Sequence, residues 1–340
     1  MTRRPAPAKD RSGEEADEGH GSVLAGRDHV RRGHEQGIDV VVKRARSDVD
    51  ERRGLYLEAA LQSAAAGCYT TERSGTTVPV VPPVGCTAER LTVEFYASEV
   101  PLDQLFGTPD ALNRAAGVAG REIASLHGQE VSGPGWAWLP PAAGEHPPLE
   151  PIPLALLGEL SEGTLELTAE IHRQDFSRIL ADVYEEGSGR RVFVHGDFKF
   201  DNILAAADGT AVRFIDWECA GLGLPERDLA SLAASLLTEA MRRATAESGG
   251  EGVHESLERL DAETEKAWSA IAALLQNYRA VPAAPVLRAS VLPCMTAYSL
   301  LCRALSYTSL TYEFDRLPKM VVKVASRMAL HPGAFAGRFS

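Results

Sequence analysis

One short segment decides the fold. It joins an apolar run to a cluster of polar side chains, Val194-His195-Gly196-Asp197-Phe198-Lys199-Phe200-Asp201-Asn202. Fourteen residues further on, a second apolar run ends at Asp216, within Phe214-Ile215-Asp216-Trp217-Glu218. Runs of β-branched and aromatic residues that stop at polar ones predict short strands, here at 192–194 and 212–215, with a turn at 207–210. A hairpin of these strands would bring Asp197, Asn202 and Asp216 to one end of a small sheet.

These side chains suit phosphoryl transfer, in which a protein mainly positions the reactants and stabilises negative charge. Asp216 and Asn202 offer the hard oxygen ligands that Mg²⁺ prefers, so we predict that they are metal ligands. Asp197 precedes the turn, where its carboxylate can orient an acceptor hydroxyl and take its proton. Lys199 can reach the transferred phosphate as a point charge, so Asp197 and Lys199 are the predicted catalytic residues. The competing interpretation is a turn whose Asp and Asn side chains bond only to their own backbone.

The same segments resemble the aminoglycoside phosphotransferase family, a branch of the protein-kinase-like superfamily. That family writes its catalytic loop with His-Gly-Asp and often its metal-binding segment as Asp-Trp-Glu, as at residues 195–197 and 216–218 here. The resemblance implies an α+β, bilobal protein-kinase-like fold with a small β-rich N-lobe and a larger helical C-lobe. It also implies ATP and Mg²⁺ as cofactors, structural support from His195, and a bracing role for Asp228. A plain helix N-cap is the alternative for Asp228, and the two roles are compatible.

The resemblance implies that the nucleotide binds in the N-lobe, at a lysine that ends a strand and is paired with a glutamate on a helix. Lys43 ends a β-branched run and would point at the α- and β-phosphates of ATP; the plain alternative is a lysine that keeps a sheet edge soluble. Glu58 follows fifteen residues later and is the favoured partner of Lys43, with Glu51 as the competitor.

The chain has no Gly-x-Gly-x-x-Gly motif. We therefore expect Gly26 and Arg27 to form the turn that covers the phosphates. A first hairpin is predicted from strands at 22–27 and 38–43, with its turn at Gln36-Gly37.

The predicted domains are a disordered tail at residues 1–21, a nucleotide-binding lobe at 22–98, and a catalytic and substrate lobe at 99–340. Helical patterning and breaker residues predict one further strand and seven helical segments. The strand is placed at 91–96. The helices are placed at 48–66, 110–127, 154–186, 228–246, 254–279, 285–310 and 316–330.

Composition excludes several classes of function. A net charge of −12 over 340 residues argues against non-specific nucleic-acid binding. No apolar run is long enough to cross a membrane, and the polar N-terminus is not a secretory signal. Five cysteines, an odd number without a Cys-x-x-Cys pair, favour a reducing cytoplasm and no structural zinc.

The acceptor has three candidate interpretations. The favoured one is a Ser or Thr hydroxyl of a ribosomally made precursor peptide, since the chain resembles the phosphotransferase-type kinases of class V lanthipeptide and thioamitide pathways, in which a partner lyase eliminates the phosphate. Residues 281–340 carry seven Lys or Arg against two acids, which suits an acidic peptide better than a polycation. The alternatives are a small molecule (an aminoglycoside, macrolide, amino sugar or amino alcohol) and a pseudo-kinase without turnover.

Overall fold

The computed structural model describes residues 30–35, 37–45, 49–69, 79–142, 158, 160–173, 191–246 and 253–339 of the chain. The predicted tail at 1–21 and the predicted turn at Gly26 and Arg27 lie outside these residues, and so does the predicted first strand at 22–27. The predicted hairpin of 22–27 with 38–43 is wrong in its pairing, because the strand across the turn at 36–37 is Val30–Glu35.

The N-terminal region is a four-stranded antiparallel sheet with one helix packed on it. Its strands are β1 (Val30–Glu35), β2 (Ile38–Arg44), β3 (Gly85–Cys86) and β4 (Arg90–Glu94), in the order β1-β2-β4-β3. The turn between β1 and β2 contains Gly37 at φ +87°, a left-handed conformation that glycine adopts freely. Helix α1 (Val49–Tyr69) packs its buried Leu55 and Ala59 against Leu91 of β4. The sheet and α1 thereby place Lys43 and Glu58 side by side.

Two small sheets below this region carry the polar segments. Strands β5 (Glu99–Pro101), β7 (Ile203–Ala206) and β8 (Val212–Phe214) form one sheet, and β6 (Val192–Val194) pairs with β9 (Gly221–Gly223) in the other. The predicted hairpin of 192–194 with 212–215 is therefore wrong in its pairing. Its turn at 207–210 joins β7 to β8, and β7 was missed because Ile-Leu-Ala-Ala has little β signal. The polar residues still meet, because the segment after β6 leads directly into β7.

The helical part follows. Its members are α2 (Pro109–His127), α3 (Glu162–Arg173), α4 (Pro225–Ala246), α5 (Val253–Arg279), α6 (Val291–Thr311), α7 (Arg316–Leu330) and the short α8 (Pro332–Phe335). Helix α2 presents alanine and glycine to α5, so the two backbones approach closely. A Cβ at Gly120 would collide with the backbone of Leu274 on α5. Helix α4 is buried along most of its length, which places it beneath the segment after β6.

Most predicted helices agree with the observed ones to within a few residues. The helix predicted at 285–310 begins only at Val291, and of the one predicted at 154–186 the structure describes the helix Glu162–Arg173. The predicted α+β class is confirmed. None of the described helices combines the length and the apolar character that a membrane span needs.

Candidate active site

Gly196 makes a tight turn just after the end of β6. Gly196 has φ +83°, and a Cβ at this position would collide with the carbonyl oxygen of Cys219. Only glycine therefore fits both the backbone conformation and the space. The tight turn directs Asp197 away from the buried strand, and its carboxylate is about one-third exposed, at 29%.

Asp228 holds this turn from the start of α4. Its Oδ2 accepts a hydrogen bond from the backbone N–H of His195 at 2.8 Å, and its Oδ1 accepts one from Gly196 at 2.9 Å. His127 Nε2 lies 3.1 Å from the same carboxylate, and Tyr278 Oη lies 3.0 Å from His127 Nδ1. Burial favours the neutral acid, but the hydrogen bonds from His127 and from the backbone outweigh it and keep the pKa of Asp228 below its ordinary value. Asp228 is thus an ionised, fully buried carboxylate bonded to the loop.

His195 connects the two polar segments. Its Nε2 donates to the carbonyl of Ile215 at 2.9 Å, and its Nδ1 accepts from the backbone N–H of Asp197 at 3.3 Å, which fixes one neutral tautomer. Its ring stacks on Phe198 with centroids 4.3 Å apart and packs against Trp217. Complete burial lowers the pKa of His195 despite the nearby Asp228. The ring is therefore a neutral spacer that sets the distance between Asp197 and Asp216.

Asp197 has two polar neighbours within the same segment. Lys199 Nζ lies 2.5 Å from its Oδ2. Asn202 Nδ2 donates to the backbone carbonyl of Asp197 at 2.9 Å and to its Oδ2 at 3.2 Å. These contacts aim the carboxylate and leave the carbonyl oxygen of Asn202 as the atom of its amide that suits a metal ion.

A second charged cluster, formed by Lys43, Glu58 and Asp216, lies between the N-terminal sheet and β8. Lys43 Nζ donates to Glu58 Oε1 at 2.7 Å and also contacts Asp216 Oδ1. Burial alone would lower the pKa of Lys43, but these two carboxylates outweigh it and raise that pKa above its ordinary value. Of the two sequence candidates, Glu58 is the one paired with Lys43; the side chain of Glu51 falls outside those described. Lys43 is thus a fixed cation beside Asp216.

Asp216 occupies a left-handed conformation, with φ 67° and ψ 68°. Aspartate tolerates this region better than β-branched residues do, because its short polar side chain bonds locally. Ligand atoms of Asp216, Glu58 and Glu218 lie within 4.8 Å of one another, so three carboxylates surround Lys43. Glu218 was noted in the sequence only as the last residue of the Asp-Trp-Glu motif, so its proximity to Lys43 was not predicted.

A cavity of about 470 Å³ opens between the sheet and the polar segments. Its lining includes Val41 and Val93 of the N-terminal sheet, Leu204 of β7, Phe214 of β8, and the polar residues Lys43, Asn202 and Asp216. A cavity that combines apolar walls with a cation and oxygen ligands matches a flat aromatic base joined to phosphates. Asp216 and Asn202 present oxygen atoms of the type that Mg²⁺ takes together with phosphate oxygens, so the donor set fits this ion.

The sequence analysis missed two residues that hold the loop. Arg227 Nη2 donates to the carbonyl of Gly196 at 2.9 Å. His127 Nε2 lies 3.1 Å from Asp228 and was not among the predicted site residues. Both contacts join residues far apart in sequence, so no local pattern indicates them.

Comparison with known protein families identifies the family of this chain. Residues 22–262 match the sequence profile of APH, the phosphotransferase enzyme family. The chain belongs to this family. It is therefore a phosphotransferase whose acceptor group is a hydroxyl, as the sequence analysis predicted. A search of curated proteins finds no match.

Solved structures of other phosphotransferases share the fold of this family member. A glucosamine kinase in complex with glucosamine, ADP and inorganic phosphate is 17% identical, with a TM-score of 0.52 over 92% of this chain and 82% of that one. A spectinomycin phosphotransferase in complex with ADP and spectinomycin is 13% identical, with a TM-score of 0.51 over 90% and 91% of the two chains. A choline/ethanolamine kinase family protein from Mesorhizobium loti is 13% identical, with a TM-score of 0.50 over 96% and 92%. The predicted bilobal protein-kinase-like fold is confirmed.

Proposed function

We propose that this phosphotransferase uses ATP with Mg²⁺ and transfers the γ-phosphate to a hydroxyl of a compact polar molecule. One observation carries the proposal. Lys43, Asn202 and Asp216 line the same cavity of about 470 Å³, and Asn202 is hydrogen-bonded to Asp197. A residue of the cavity that can hold a metal is thus joined directly to the carboxylate that would face the acceptor.

Lys43, held in position by Glu58, would bind phosphate oxygens of the nucleotide. Asn202 and Asp216 would hold Mg²⁺, which would supply positive charge to offset that of the phosphates. Lys43 also contacts Asp216, so its ammonium group lies beside the carboxylate that would hold the metal. Two solved structures that share this fold contain ADP, which supports a nucleotide as the phosphate donor.

Asp197 acts on the acceptor. Its carboxylate accepts the hydroxyl proton while the new O–P bond forms and the bond between the γ-phosphorus and the bridging oxygen of ADP breaks. Lys199, 2.5 Å from Asp197, moves to the transferred phosphoryl group and balances its charge. His195 and Asp228 act by position, because both fix the loop and neither is aimed at the cavity.

A precursor peptide is the second candidate acceptor, with a partner lyase as the enzyme that removes the phosphate. One observation favours it. The exposed face of α7 carries Arg316, Lys319, Lys323 and Arg327, which suits an acidic segment. The compact acceptor is preferred because Lys199 lines a cavity of only about 200 Å³ with several polar residues in its walls.

The test uses the full-length protein with ATP, Mg²⁺ and candidate acceptors, and measures ADP release and acceptor mass. A gain of about 80 Da on the acceptor, the mass of one phosphoryl group, supports phosphotransfer. Asp216→Asn is expected to abolish Mg²⁺-dependent nucleotide binding, whereas Asp208→Asn in the β7–β8 turn is the matched control. Nucleotide binding by Asp216→Asn with unchanged Mg²⁺ dependence would overturn the metal assignment.

A further inference from the structure

Three cationic side chains line the cavity of about 470 Å³, among the residues that the structure describes. They are Arg32 of β1, Lys43 of β2 and Arg213 of β8. Lys43 is held by Glu58 and also contacts Asp216. The proposed function uses Lys43 and gives neither arginine a role, so the contacts of each arginine decide what it can do.

Arg213 is bound to the protein itself. Its Nε and Nη2 each donate to a carboxylate oxygen of Glu99 at 2.9 Å, and its Cζ lies 3.5 Å from the ring centroid of Tyr96. Both charged side chains are almost completely buried, and a bidentate pair of this kind satisfies the guanidinium charge. Arg213 therefore fixes the segment that joins β4 to β5 and has no need of a ligand.

Arg32 is in a different situation. Within the described part of the chain, its guanidinium has no carboxylate partner, and it lies over the ring of Phe95 with Cζ 4.2 Å from the centroid. The side chain is exposed, so water solvates its charge. A ligand can therefore meet this guanidinium without first breaking an ion pair.

The strand register places Arg32 away from the predicted phosphate contact. Opposite residues of paired strands share one face of a sheet, and so do alternate residues of one strand. On the face that lines the cavity, one row is Val30, Lys43 and Leu91, and the next row is Arg32, Val41 and Val93. Rows lie about 6.6 Å apart along a strand, so Arg32 starts one row away from Lys43.

The side chain of Arg32 then extends further from Lys43. Phe95 lies two residues beyond Val93, which places its ring about 13 Å along the sheet from the row of Lys43. The contact between Arg32 and Phe95 also crosses β2, a distance of about two strand spacings. The guanidinium is thus held over the cavity face beside the segment that joins the two lobes. A nucleotide with its phosphates at Lys43 extends its base toward this position.

We infer that Arg32 stacks its guanidinium on the purine of the nucleotide, and that Phe95 positions the guanidinium for this contact. A planar cation is attracted to the face of an aromatic ring, and it can contact one ring on each side. The inference rests on the proposed function, because it requires the phosphates at Lys43. It makes part of the nucleotide affinity depend on the base rather than on the phosphates.

The first experiment separates the base from the phosphates. Calorimetry on the full-length protein with Mg²⁺ compares non-hydrolysable ATP and GTP analogues with ribose 5′-triphosphate and tripolyphosphate, which have no base. We expect Arg32→Leu to raise the Kd of both purine nucleotides by about 3- to 30-fold, the range of a cation–π contact. The Kd of the two probes without a base should not change. Every purine presents a ring face, so the ATP and GTP analogues should lose affinity alike.

Matched variants test the origin of the effect. Arg32→Lys keeps the charge but loses the planar group, so it should also weaken purine binding. Arg31→Leu is the control, because Arg31 is the next residue of β1, is exposed, and pairs with Val42 on the other face of the sheet. Phe95→Leu should weaken purine binding less than Arg32→Leu does and should add little to it in the double variant.

The outcomes are distinct. Equal losses for tripolyphosphate and the ATP analogue would make Arg32 a phosphate or structural residue and overturn the inference. Full purine affinity in Arg32→Lys or Arg32→Leu would overturn it too, and the proposed function would still stand. Additive losses in the double variant would refute the positioning role of Phe95. If the unmodified protein binds neither the ATP analogue nor tripolyphosphate, the proposed function fails and the inference fails with it.

Discussion

The two sides of Asp197 are built differently. On the nucleotide side, Lys43 is paired with Glu58 and Asp216. On the acceptor side, Arg303 and Asp103 line the cavity beside Lys199, and each has a buried atom without a hydrogen-bond partner among the described residues. A paired group stabilises the fold before any ligand arrives, whereas an unpaired group costs free energy until a ligand satisfies it. The nucleotide side is thus held by ion pairs, whereas the cavity beside Lys199 contains single polar atoms without hydrogen-bond partners among the described residues.

Asp197 lies between these sides, and its removal should give the largest effect. Asp197→Asn is expected to lower kcat by roughly 10²–10⁴-fold, because the amide cannot accept the hydroxyl proton. Nucleotide affinity should stay near that of the unmodified protein, since Asp197 does not line the nucleotide cavity. Steady-state kinetics and nucleotide titration check this. A loss of nucleotide affinity equal to the loss of kcat would show that the two sides are not separate.

Gly196→Ala tests the backbone that separates the two sides. A Cβ would collide with the carbonyl of Cys219, and φ +83° adds about 1–2 kcal/mol for an L-residue. We expect lower stability and a large loss of turnover. Gly135→Ala is the control, because a Cβ there has no neighbouring atom within 4 Å. Equal denaturation midpoints for the two variants would contradict the assignment.

Lys43→Met removes the cation from the ion pairs on the nucleotide side. Without Lys43, the carboxylates of Glu58 and Asp216 face each other in a buried site, which should lower the free energy of unfolding by about 1–3 kcal/mol. The KM for ATP should rise, because a phosphate contact is lost. Lys323→Met, an exposed position on α7, is the control. Denaturant melts together with kinetics check both effects.

Asp103→Asn makes the reciprocal change in the cavity beside Lys199. Because the carboxylate is disfavoured in the folded protein, its replacement by a neutral amide should leave the free energy of unfolding at pH 7 unchanged or higher. We thus expect the free energy of unfolding to fall in Lys43→Met but not in Asp103→Asn. A clear destabilisation by Asp103→Asn would mean that Asp103 is paired in solution.

The smallest expected effect concerns His195. Since its pKa is lowered in the folded protein, the unfolded chain binds a proton more readily, and stability falls as pH drops below about 6.5. This one group contributes a slope of at most about 1.4 kcal/mol per pH unit. Unfolding free energies of the protein and His195→Asn between pH 5 and 7 check it. An identical slope in both would show that the histidine is protonated in the fold.

The sequence predicted correctly that the polar side chains of residues 197–202 lie close together, because they are neighbours in the chain; their catalytic roles stay a prediction. Asp197, Lys199 and Asn202 lie within six residues, and the structure places them in mutual contact. The strand pairing was wrong because register depends on partners far away in the chain, and β6 joins β9 rather than β8. The pairing of Lys43 with Glu58 followed from a spacing that the family resemblance supplied.

The cavity beside Lys199 could not be predicted. Asp103, Ser235 and Arg303 come from three separate segments, and none of them lies in a recognisable motif. Each has an ordinary sequence interpretation as a helix-surface or turn residue. Only the packing of α4 and α6 beneath the catalytic segment brings them to one space.

The hydrogen bonds from Tyr278 through His127 and Asp228 to the backbone of His195 cross three helices. The nucleotide cavity has its roof in the N-terminal sheet instead. As denaturant is added, we therefore expect turnover to fall before nucleotide binding does, because displacement of α5 removes the hydrogen bond from Tyr278. The rate of turnover would then report whether all three helices are still folded.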